Sequence, residues 1–375
     1  MIFLDYNAGS PLAPEAAEAL TRALTAAGSN PSSVHQAGRA ARTRLTAARD
    51  TVARTFGCEA REVIFTASGS ESAALAIKGA WAVRKDPTRN TLVTTTLEHP
   101  CVLGAVKQVE AAGAKVVRLA PDASGRVPLQ AAIDALTADV ALCSMIWVNN
   151  ETGVIQPVRE VSRACVAQGI VFHTDAVQAV GRIPATLRDV PADFFSFSGH
   201  KLGALPGIGV LLARRSVALE PMVPGHQEDG RRGGTQALAM IEGLVAALVA
   251  AVARVDAEHG RLDVLRQRFE SGVTSAIVNG GSVPRAPGTS NLRFPGADGE
   301  ALLIALDLEG ICVSSGAACA SGSLTPSHVL TAMGMSNTEA QECLRFSYGR
   351  GTTEAQMDQV IEAVNRLVPR TKVTP

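Results

Sequence analysis

The segment Phe194-Phe195-Ser196-Phe197-Ser198-Gly199-His200-Lys201 indicates the fold, because it places a lysine directly after a short hydrophobic strand. In open α/β sheets, ligands bind at the carboxyl ends of the strands, where Lys201 is expected to lie. A lysine at the mouth of a buried strand can lose hydration, which lowers its pKa and frees the amine for Schiff-base chemistry. Taken alone, a strand-end lysine is usually a surface cation.

Strand and helix patterns alternate on both sides of this segment, as in an α/β fold with a mostly parallel sheet. The predicted strands cover residues 63–66, 91–95, 115–119, 140–147, 170–174, 194–198 and 207–212. Several are continuous apolar runs, which is typical of strands covered on both faces. The predicted helices cover residues 71–84, 102–112 and 158–168, followed by a long helical stretch at 237–276.

The pattern changes after the long helical stretch, and shorter elements follow. We predict strands at 291–294, 311–314 and 344–347, and helices at 299–308, at 327–333 and from residue 354. A chain of 375 residues exceeds one minimal core. The sequence therefore predicts a large domain with the mostly parallel sheet, residues 12–255, and a smaller α+β domain formed by residues 1–11 and 256–375.

Composition narrows the class of protein. A formal net charge of +0 argues against a nucleic-acid partner, because phosphate binding needs a basic surplus. The longest apolar stretch, at 243–252, is too short to span a bilayer, and the N-terminus lacks a basic signal-peptide region. Seven scattered cysteines fit neither a disulfide framework nor a zinc site, so no metal is expected. We expect a cytoplasmic protein without a membrane partner.

Asp175 and Gln178 follow the strand predicted at 170–174, in the run His173-Thr174-Asp175-Ala176-Val177-Gln178. A carboxylate that keeps a pyridine nitrogen protonated makes pyridoxal phosphate (PLP) a better electron sink, and Asp is the usual partner. The alternative is an aspartate that caps the next helix. Because a strand-end lysine follows 26 residues later, we favour the pyridine partner.

Gly69 and Ser70 lie between a predicted strand and a long predicted helix, in Thr66-Ala67-Ser68-Gly69-Ser70-Glu71-Ser72. Backbone N–H groups and the helix dipole would face an anion there, so the segment can hold a phosphate. The alternative is an ordinary helix N-cap. No Walker motif occurs and no strand opens into GxGxxG, so neither ATP nor NAD has a visible binding segment.

Further polar side chains follow other predicted strands. His99 can stack on a planar ring, although a loop histidine is the better interpretation in isolation. Asn150, in Asn149-Asn150-Glu151-Thr152-Gly153, supplies an amide donor at the same sheet edge. Ser198 and His200 flank the lysine and can donate to a phosphate. Each signal is weak alone, but their common position after successive strands favours one site.

Cys319 differs from the other six cysteines, which fit apolar patterns, helical patterns or element ends. It lies in Ser314-Ser315-Gly316-Ala317-Ala318-Cys319-Ala320-Ser321-Gly322-Ser323, a run of small residues almost without anchoring side chains. Such a loop can carry a thiol to a substrate and away again. From composition alone, a tightly packed loop with Cys as a small residue is an equally good interpretation.

The motifs occur in one order over nearly the whole chain, and together they are highly specific. In this order the chain resembles the NifS/IscS-type cysteine desulfurases, which are class V members of the fold-type I PLP-dependent enzymes. The resemblance lies in residues 4–8, 30–35, 65–71, 98–99, 149–153, 173–178, 198–201, 225–232, 314–319, 326–330 and 345–347.

The resemblance implies the cofactor PLP and a role for each matching residue. Lys201 would hold PLP covalently and move protons at the substrate carbon. Asp175 would pair with the pyridinium nitrogen, and Gln178 would contact the phenolic oxygen. His99 would stack on the ring and act as an acid or base. The remaining implied cofactor contacts are Gly69, Ser70, Asn150, Ser198, His200 and Thr235 of the partner subunit.

The same resemblance implies the substrate and the reaction. Asn150 and Arg345 would bind the carboxylate of L-cysteine, for which a guanidinium fork is suited, and Asn30 would also contact the substrate. The thiolate of Cys319 would attack the substrate sulfur, leaving alanine and an enzyme persulfide. A homodimer is expected, with an iron–sulfur scaffold or another sulfur-acceptor protein as a further partner.

The chain departs from the family pattern at Tyr6–Ser10, Ala204–Pro206, Gly233 and Ser70, which bears on efficiency and substrate range. One alternative is a selenocysteine lyase or a class V aminotransferase on the same fold. Another is a catalytically silent dimer that acts as a scaffold, although retention of both Lys201 and Cys319 argues against it.

Overall fold

The structure is a computed structural model, which describes residues 1–26, 29–315 and 326–372. Within these residues, the strands are β1 (Ile2–Phe3), β2 (Val63–Thr66), β3 (Thr91–Thr95), β4 (Lys115–Leu119), β5 (Val140–Ile146), β6 (Val171–Asp175), β7 (Phe194–Ser198), β8 (Gly209–Ala213), β9 (Ile277–Val278), β10 (Thr289–Arg293), β11 (Ile311–Cys312), β12 (Ser314–Ser315) and β13 (Cys343–Ser347). The helices are α1 (Pro14–Thr25), α2 (Gln36–Phe56), α3 (Gly69–Ala82), α4 (Pro100–Ala111), α5 (Leu129–Asp134), α6 (Val158–Gln168), α7 (Leu238–Ala253), α8 (Val255–Gly272), α9 (Gly299–Leu308), α10 (His328–Ala332), α11 (Asn337–Gln341) and α12 (Glu354–Leu367).

Seven strands form the main sheet, in the order β2-β8-β7-β6-β5-β3-β4. The pairs from β7 to β4 are parallel, whereas β8 is antiparallel to both β7 and β2. The predicted α/β fold with a mostly parallel sheet is therefore confirmed. Strands such as β7 are buried along their whole length, which explains their continuous apolar sequences.

The carboxyl ends of β3, β5, β6 and β7 lie at one edge of this sheet, because these strands are parallel. Local signals set the helix ends near that edge. The hydroxyl of Ser68 accepts from Glu71 N and begins α3, and His99 begins α4. Helix α6 ends at Gly169, which has φ 62° and supplies the left-handed residue that such an end needs.

The predicted long helical stretch is two helices, α7 and α8, which meet at a bend of 69° beside Arg254. Among the described residues, no single helix is long and apolar enough to cross a membrane. Within the same residues, only the bent pair of α7 and α8 has the length and composition to cross a membrane, and this rests on length and composition alone.

The C-terminal part contains two smaller sheets. Strands β12, β13, β10 and β9 form an antiparallel sheet, and β1 pairs in parallel with β11. The single strand predicted at 311–314 is therefore wrong, because β11 and β12 pair with different partners. The N-terminal residues thus lie in the C-terminal part of the fold.

Buried side chains form two large cores. The first surrounds the main sheet, and the second lies between β10, β13 and helices α8, α9 and α12, with Leu4 from the N-terminus. Val329 and Leu330 of α10 pack into the first core, so the two parts are in contact. We propose that the cores correspond to the two predicted domains, residues 12–255 and residues 1–11 with 256–375.

Gly209 allows β2, β7 and the start of α3 to approach one another closely. It pairs with Thr66 of β2 on one side and with Ser198 of β7 on the other. A Cβ at this position would lie 2.3 Å from the carbonyl carbon of Ser68 and 2.8 Å from Gly69 N. Any side chain would therefore push the start of α3 away from the sheet.

We expect Gly209→Ala to lower the free energy of unfolding by about 1–3 kcal/mol, because the backbone at Ser68 must move. Urea unfolding measures this change. The control is Gly104→Ala in α4, where a Cβ meets nothing within 4 Å. Because Ala is the better helix former, the control should be stabilised by up to about 1 kcal/mol. Equal midpoints for the two variants would contradict the packing argument.

Candidate active site

Lys201 lies in a 3₁₀ turn, Gly199–Lys201, directly after β7 and at the carboxyl edge of the main sheet. The N-terminal segment covers it. Lys201 Nζ donates to the carbonyl oxygen of Ala8 at 2.5 Å, and Ser10 Oγ donates to the carbonyl oxygen of Lys201 at 2.8 Å. The predicted position after a buried strand is therefore observed.

Asp175 ends β6, the strand next to the one that carries the lysine. Its carboxyl is buried, and Oδ1 accepts from Val177 N at 3.0 Å. Burial raises the pKa of Asp175 to about 6, although the Val177 hydrogen bond and the nearby Lys201 act in the opposite direction. Asp175 is therefore charged at neutral pH and faces a cation.

His99 follows β3 and is the N-cap residue of α4. Its Nδ1 accepts from Cys101 N at 3.2 Å, so the proton of the neutral ring lies on Nε2. Burial lowers the pKa of His99 to about 4, and the neighbouring Lys201 and His328 act in the same direction. The imidazole is therefore neutral near pH 7 and offers its Nε2–H group as a donor.

Ser198, His200 and Gly69 lie together on the other side of the lysine. Ser198 Oγ and His200 Nδ1 are 2.7 Å apart. A Cβ on Gly69 would lie 3.1 Å from that of Ser198, so the start of α3 packs against the end of β7. Burial lowers the pKa of His200 to about 4, with a smaller effect of the same sign from Lys201. The first backbone N–H groups of α3 suit an anion here.

Gln178 is buried, and its two polar ends differ. Nε2 donates to the carbonyl oxygen of Asn7 at 3.0 Å, whereas Oε1 has no hydrogen-bond partner within the described residues. Asn7 also donates through Nδ2 to the carbonyl oxygen of Asn150 at 3.0 Å and accepts from Arg182 through Oδ1. Asn7 has no predicted role, although it lies in one of the motifs that carry the family resemblance.

Arg345 lies in β13 and brings a buried guanidinium to the same edge. Nη1 donates to the carbonyl oxygen of Asn150 at 3.0 Å, and Nη2 donates to Asp5 Oδ1 at 2.7 Å. Nε is buried without a partner among the residues that the structure describes. Donors of one guanidinium therefore remain for an anionic ligand beside Asn150.

Glu98 and Cys101 also belong to this cluster, and sequence reasoning assigned neither of them a role. Glu98 is buried, and its Oε1 accepts from Thr95 Oγ1 and from Ile146 N, both at 2.8 Å. Burial raises the pKa of Glu98 to about 8 and that of the Cys101 thiol to about 12. The signal available in the sequence was a charged residue, Glu98, directly before the predicted ring-stacking His99.

Ser70 lies near the Cys101 thiol, and its side chain acts against the burial that raises the pKa of that thiol. Asn30 and Thr235 are exposed, and the structure of this single chain does not bring them into the cluster. Asn30 Oδ1 instead accepts from Ser32 N at 2.9 Å within its own turn. Cys319 lies outside the described residues.

The residues that meet here suit a planar group with a phosphate at one end and a basic ring nitrogen at the other. Asp175 is a carboxylate for the ring nitrogen, and the start of α3 with Ser198 suits the phosphate. Within residues 1–26, 29–315 and 326–372, no three His, Cys, Asp or Glu side chains are grouped so as to hold a metal ion.

Comparisons with known proteins identify the family of this chain. The family model described as Aminotransferase class-V matches residues 2–360. A protein of Trichormus azollae named cysteine desulfurase is 41% identical over 379 aligned positions, which cover 99% of this chain and 93% of the relative.

Two solved structures are also similar. One titled NifS-like protein has a TM-score of 0.91 at 29% identity and covers 98% of this chain and 99% of its own. One titled SspA in complex with cysteine has a TM-score of 0.82 at 32% identity and covers 93% and 99%. The chain therefore belongs to the aminotransferase class-V family, in which a full-length relative at 41% identity is named cysteine desulfurase.

Proposed function

We propose that this protein is a PLP-dependent cysteine desulfurase, which converts L-cysteine to L-alanine and transfers the sulfur to Cys319 as a persulfide. The observation that carries the proposal is the grouping of Lys201, Asp175 and His99 at one sheet edge beside the buried guanidinium of Arg345. The relatives named cysteine desulfurase support the same reaction.

Several residues would hold PLP in this site. The amine of Lys201 would bind its aldehyde carbon, and Asp175 would accept from the protonated ring nitrogen. Ser198, His200 and the N–H groups of Gly69 and Ser70 would bind the phosphate, with His99 on one face of the ring. The unpartnered oxygen of the Gln178 amide fits a further polar group of the ring. When bound, PLP supplies an electron sink for the substrate carbon.

Arg345 and Asn150 would orient the substrate. The guanidinium is held in place by Asp5 and by the Asn150 carbonyl, so little rotational freedom is lost when a carboxylate binds. The buried Nε of Arg345 would gain a partner at that moment. His99, neutral near pH 7 with its proton on Nε2, would act as a proton donor beside Lys201.

The sulfur transfer involves two thiols, that of Cys319 and that of the substrate L-cysteine. The thiolate of Cys319 forms a bond to the substrate sulfur, and the bond from that sulfur to the substrate carbon breaks. The carbon takes up a proton, so the products are alanine and an enzyme persulfide. Cys101 is not proposed as the nucleophile, because burial raises the pKa of its thiol to about 12 and keeps it protonated.

Glu98 would keep its proton while Asp175 carries the charge that PLP needs. The pKa of Asp175 is about 6 and that of Glu98 is about 8, each raised mainly by burial. Between these values only Asp175 of the two is ionised, so the ring nitrogen would meet a single negative charge. Two adjacent carboxylates would repel each other.

We also propose a homodimer in the cytoplasm that delivers sulfur to an iron–sulfur scaffold or another acceptor protein. The exposure of Thr235 and Asn30 supports the dimer, because side chains outside the cluster of one chain are available to the site of a second. A partner copy would bring Thr235 to the phosphate and Asn30 to the substrate.

Selenocysteine lyase or aminotransferase activity on the same fold is the alternative. Both use the cluster around Lys201 but do not require a thiol at position 319. A silent scaffold dimer would require neither. The absorbance of the purified protein near the visible edge distinguishes a silent scaffold from the enzymes. Bound PLP absorbs there, whereas a silent scaffold need not bind PLP.

We expect wild-type protein with L-cysteine and a reductant to release sulfide and alanine in equal amounts. Lys201→Ala and Cys319→Ser should each lose more than about a thousandfold in rate, because each removes a group that reacts covalently. Sulfide and alanine are measured in parallel on the same samples.

The matched control for this assay is Cys58→Ser, since Cys58 is a half-buried thiol at the end of α2. The control should keep the wild-type rate. Alanine formation that survives in Cys319→Ser would contradict the persulfide step and favour the lyase or aminotransferase alternative. Wild-type protein that binds PLP and forms no alanine would contradict the proposal as a whole.

Replacing Glu98 by Gln should change how stability depends on pH. In the wild type the folded state holds this proton up to about pH 8, whereas an ordinary glutamate loses it near 4.5, so stability falls as pH rises between these values. The variant lacks this loss. Its stability relative to wild type should therefore increase from pH 5 to pH 9.

Urea midpoints of the cofactor-free proteins at several pH values measure this slope, and any constant offset between the proteins is immaterial. The control is Glu354→Gln at the exposed start of α12, which should show no such trend. A difference between Glu98→Gln and wild type that stays flat with pH would show that Glu98 is ionised in the folded protein.

A further inference from the structure

Two residues that follow the segment 316–325 are bound by loops at the carboxyl edge of the main sheet. Ser327 is buried, and its Oγ donates to Glu151 Oε2 at 2.5 Å. His328 Nε2 lies 3.0 Å from the carbonyl oxygen of Glu98 and must donate, because a carbonyl oxygen only accepts. Both partners lie in loops that supply residues to the candidate active site.

Glu151 is itself held firmly by its backbone. Its N–H donates to Asn149 Oδ1 at 2.9 Å, and its carbonyl oxygen accepts from Asn291 Nδ2 at 3.3 Å. The carbonyl oxygen of the preceding residue, Asn150, accepts from Arg345 Nη1. The loop that accepts from the guanidinium of Arg345, the predicted substrate-binding residue, thus also presents the Glu151 carboxyl to Ser327.

The hydroxyl of Ser327 makes two different hydrogen bonds. Its oxygen accepts from Leu330 N at 3.2 Å as the N-cap of α10, while its proton is donated to Glu151. The cap alone would begin the helix, as Ser336 does for α11. The bond to Glu151 also fixes the position of α10 relative to the sheet edge.

The other end of the segment is also placed beside the candidate substrate site. Ser314 of β12 pairs with Arg345 of β13. Ser314 therefore lies next to Arg345, whose guanidinium is predicted to bind the substrate. Ser327, at the other end of the segment 316–325, lies at the buried carboxyl of Glu151. Cys319 lies eight residues before Ser327 in the sequence.

We propose that Glu151 is a positioning residue for sulfur transfer, because it holds Ser327 and thereby sets one end of the segment that contains Cys319. The inference rests on the proposed function. It assigns to Glu151 no contact with substrate or cofactor, only control over the position of Ser327, which follows the segment that contains Cys319.

The test compares Ser327→Ala, Glu151→Met and their double variant with wild type. Glu151→Met removes the acceptor while keeping a side chain of similar length. The matched control is Ser336→Ala, which removes a helix N-cap hydroxyl that is bound to Glu339 and not to a buried acid. PLP-loaded enzyme is mixed once with L-cysteine, and the rate of persulfide formation on Cys319 is measured by mass spectrometry.

We expect both single variants to form the persulfide at least about tenfold more slowly, because small displacements of a reacting group are costly in rate. The double variant should be no slower than the slower single variant, since both changes remove one shared bond. The cysteine concentration at half-saturation and the PLP absorbance should change by less than about twofold, because Arg345 and Lys201 are untouched.

A second readout does not depend on catalysis. Without substrate, alkylation of Cys319 by iodoacetamide should become at least about threefold faster in Ser327→Ala and Glu151→Met, because one end of its segment is released. Ser336→Ala should match wild type in both measurements.

Distinct results separate the failures. If wild type forms no persulfide, the proposed function fails. If wild type is active and both single variants stay within about twofold, or Ser336→Ala slows equally, Glu151 has only a structural role. Rate losses that multiply in the double variant would also overturn the inference. Should Ser327→Ala not fold, Glu151→Met must be slow and Ser327→Thr, which keeps the hydroxyl, must be near wild type.

Discussion

The register of four neighbouring strands, β2, β8, β7 and β6, decides where the groups of the candidate site lie. β7 pairs with β6, so Asp175 lies beside the strand that ends just before Lys201. The same strand pairs with β8, where Ser198 faces Gly209, and Gly209 faces Thr66 on the other side. A slip of one residue in either pairing would move Asp175 or Ser198 to the opposite face of the sheet. The phosphate side and the lysine side of the site therefore share one rigid frame.

Burial shifts the pKa values of the acids and of the imidazoles in this site in opposite directions. It raises the pKa of Asp175 and Glu98 and lowers the pKa of His99 and His200. The result near neutral pH is that, of Asp175 and Glu98, only Asp175 remains ionised, and that both rings are neutral. A phosphate and a substrate carboxylate can then enter without meeting several like charges. The same burial keeps the thiol of Cys101 protonated, which leaves sulfur chemistry to a cysteine elsewhere.

Local patterns predict much of this fold and less of the site. The strands at 63–66, 91–95, 115–119 and 194–198 and the helices at 158–168 and 299–308 have the predicted bounds, because apolar runs and turn residues mark them on both sides. The break at Arg254 was not predicted, since helical sequence continues through it and packing decides the bend. Strand ends indicated Lys201 and Asp175. The contacts of Asn7 and Glu151 depend on residues 143 and 176 positions away, and no local pattern encodes such pairs.

The first ten residues join both ends of the chain. β1 pairs with β11, and Asn7 N donates to Ser347 Oγ across 340 positions, while Ser10 closes over Lys201. During synthesis on the ribosome, this N-terminal segment must therefore wait without its partners until β13 has emerged. The cluster around Lys201 is completed last, although most of its residues are made early. A chain that terminates before β13 would lack Arg345 and the Ser347 partner of Asn7, so the complete cluster forms only after β13 has been made.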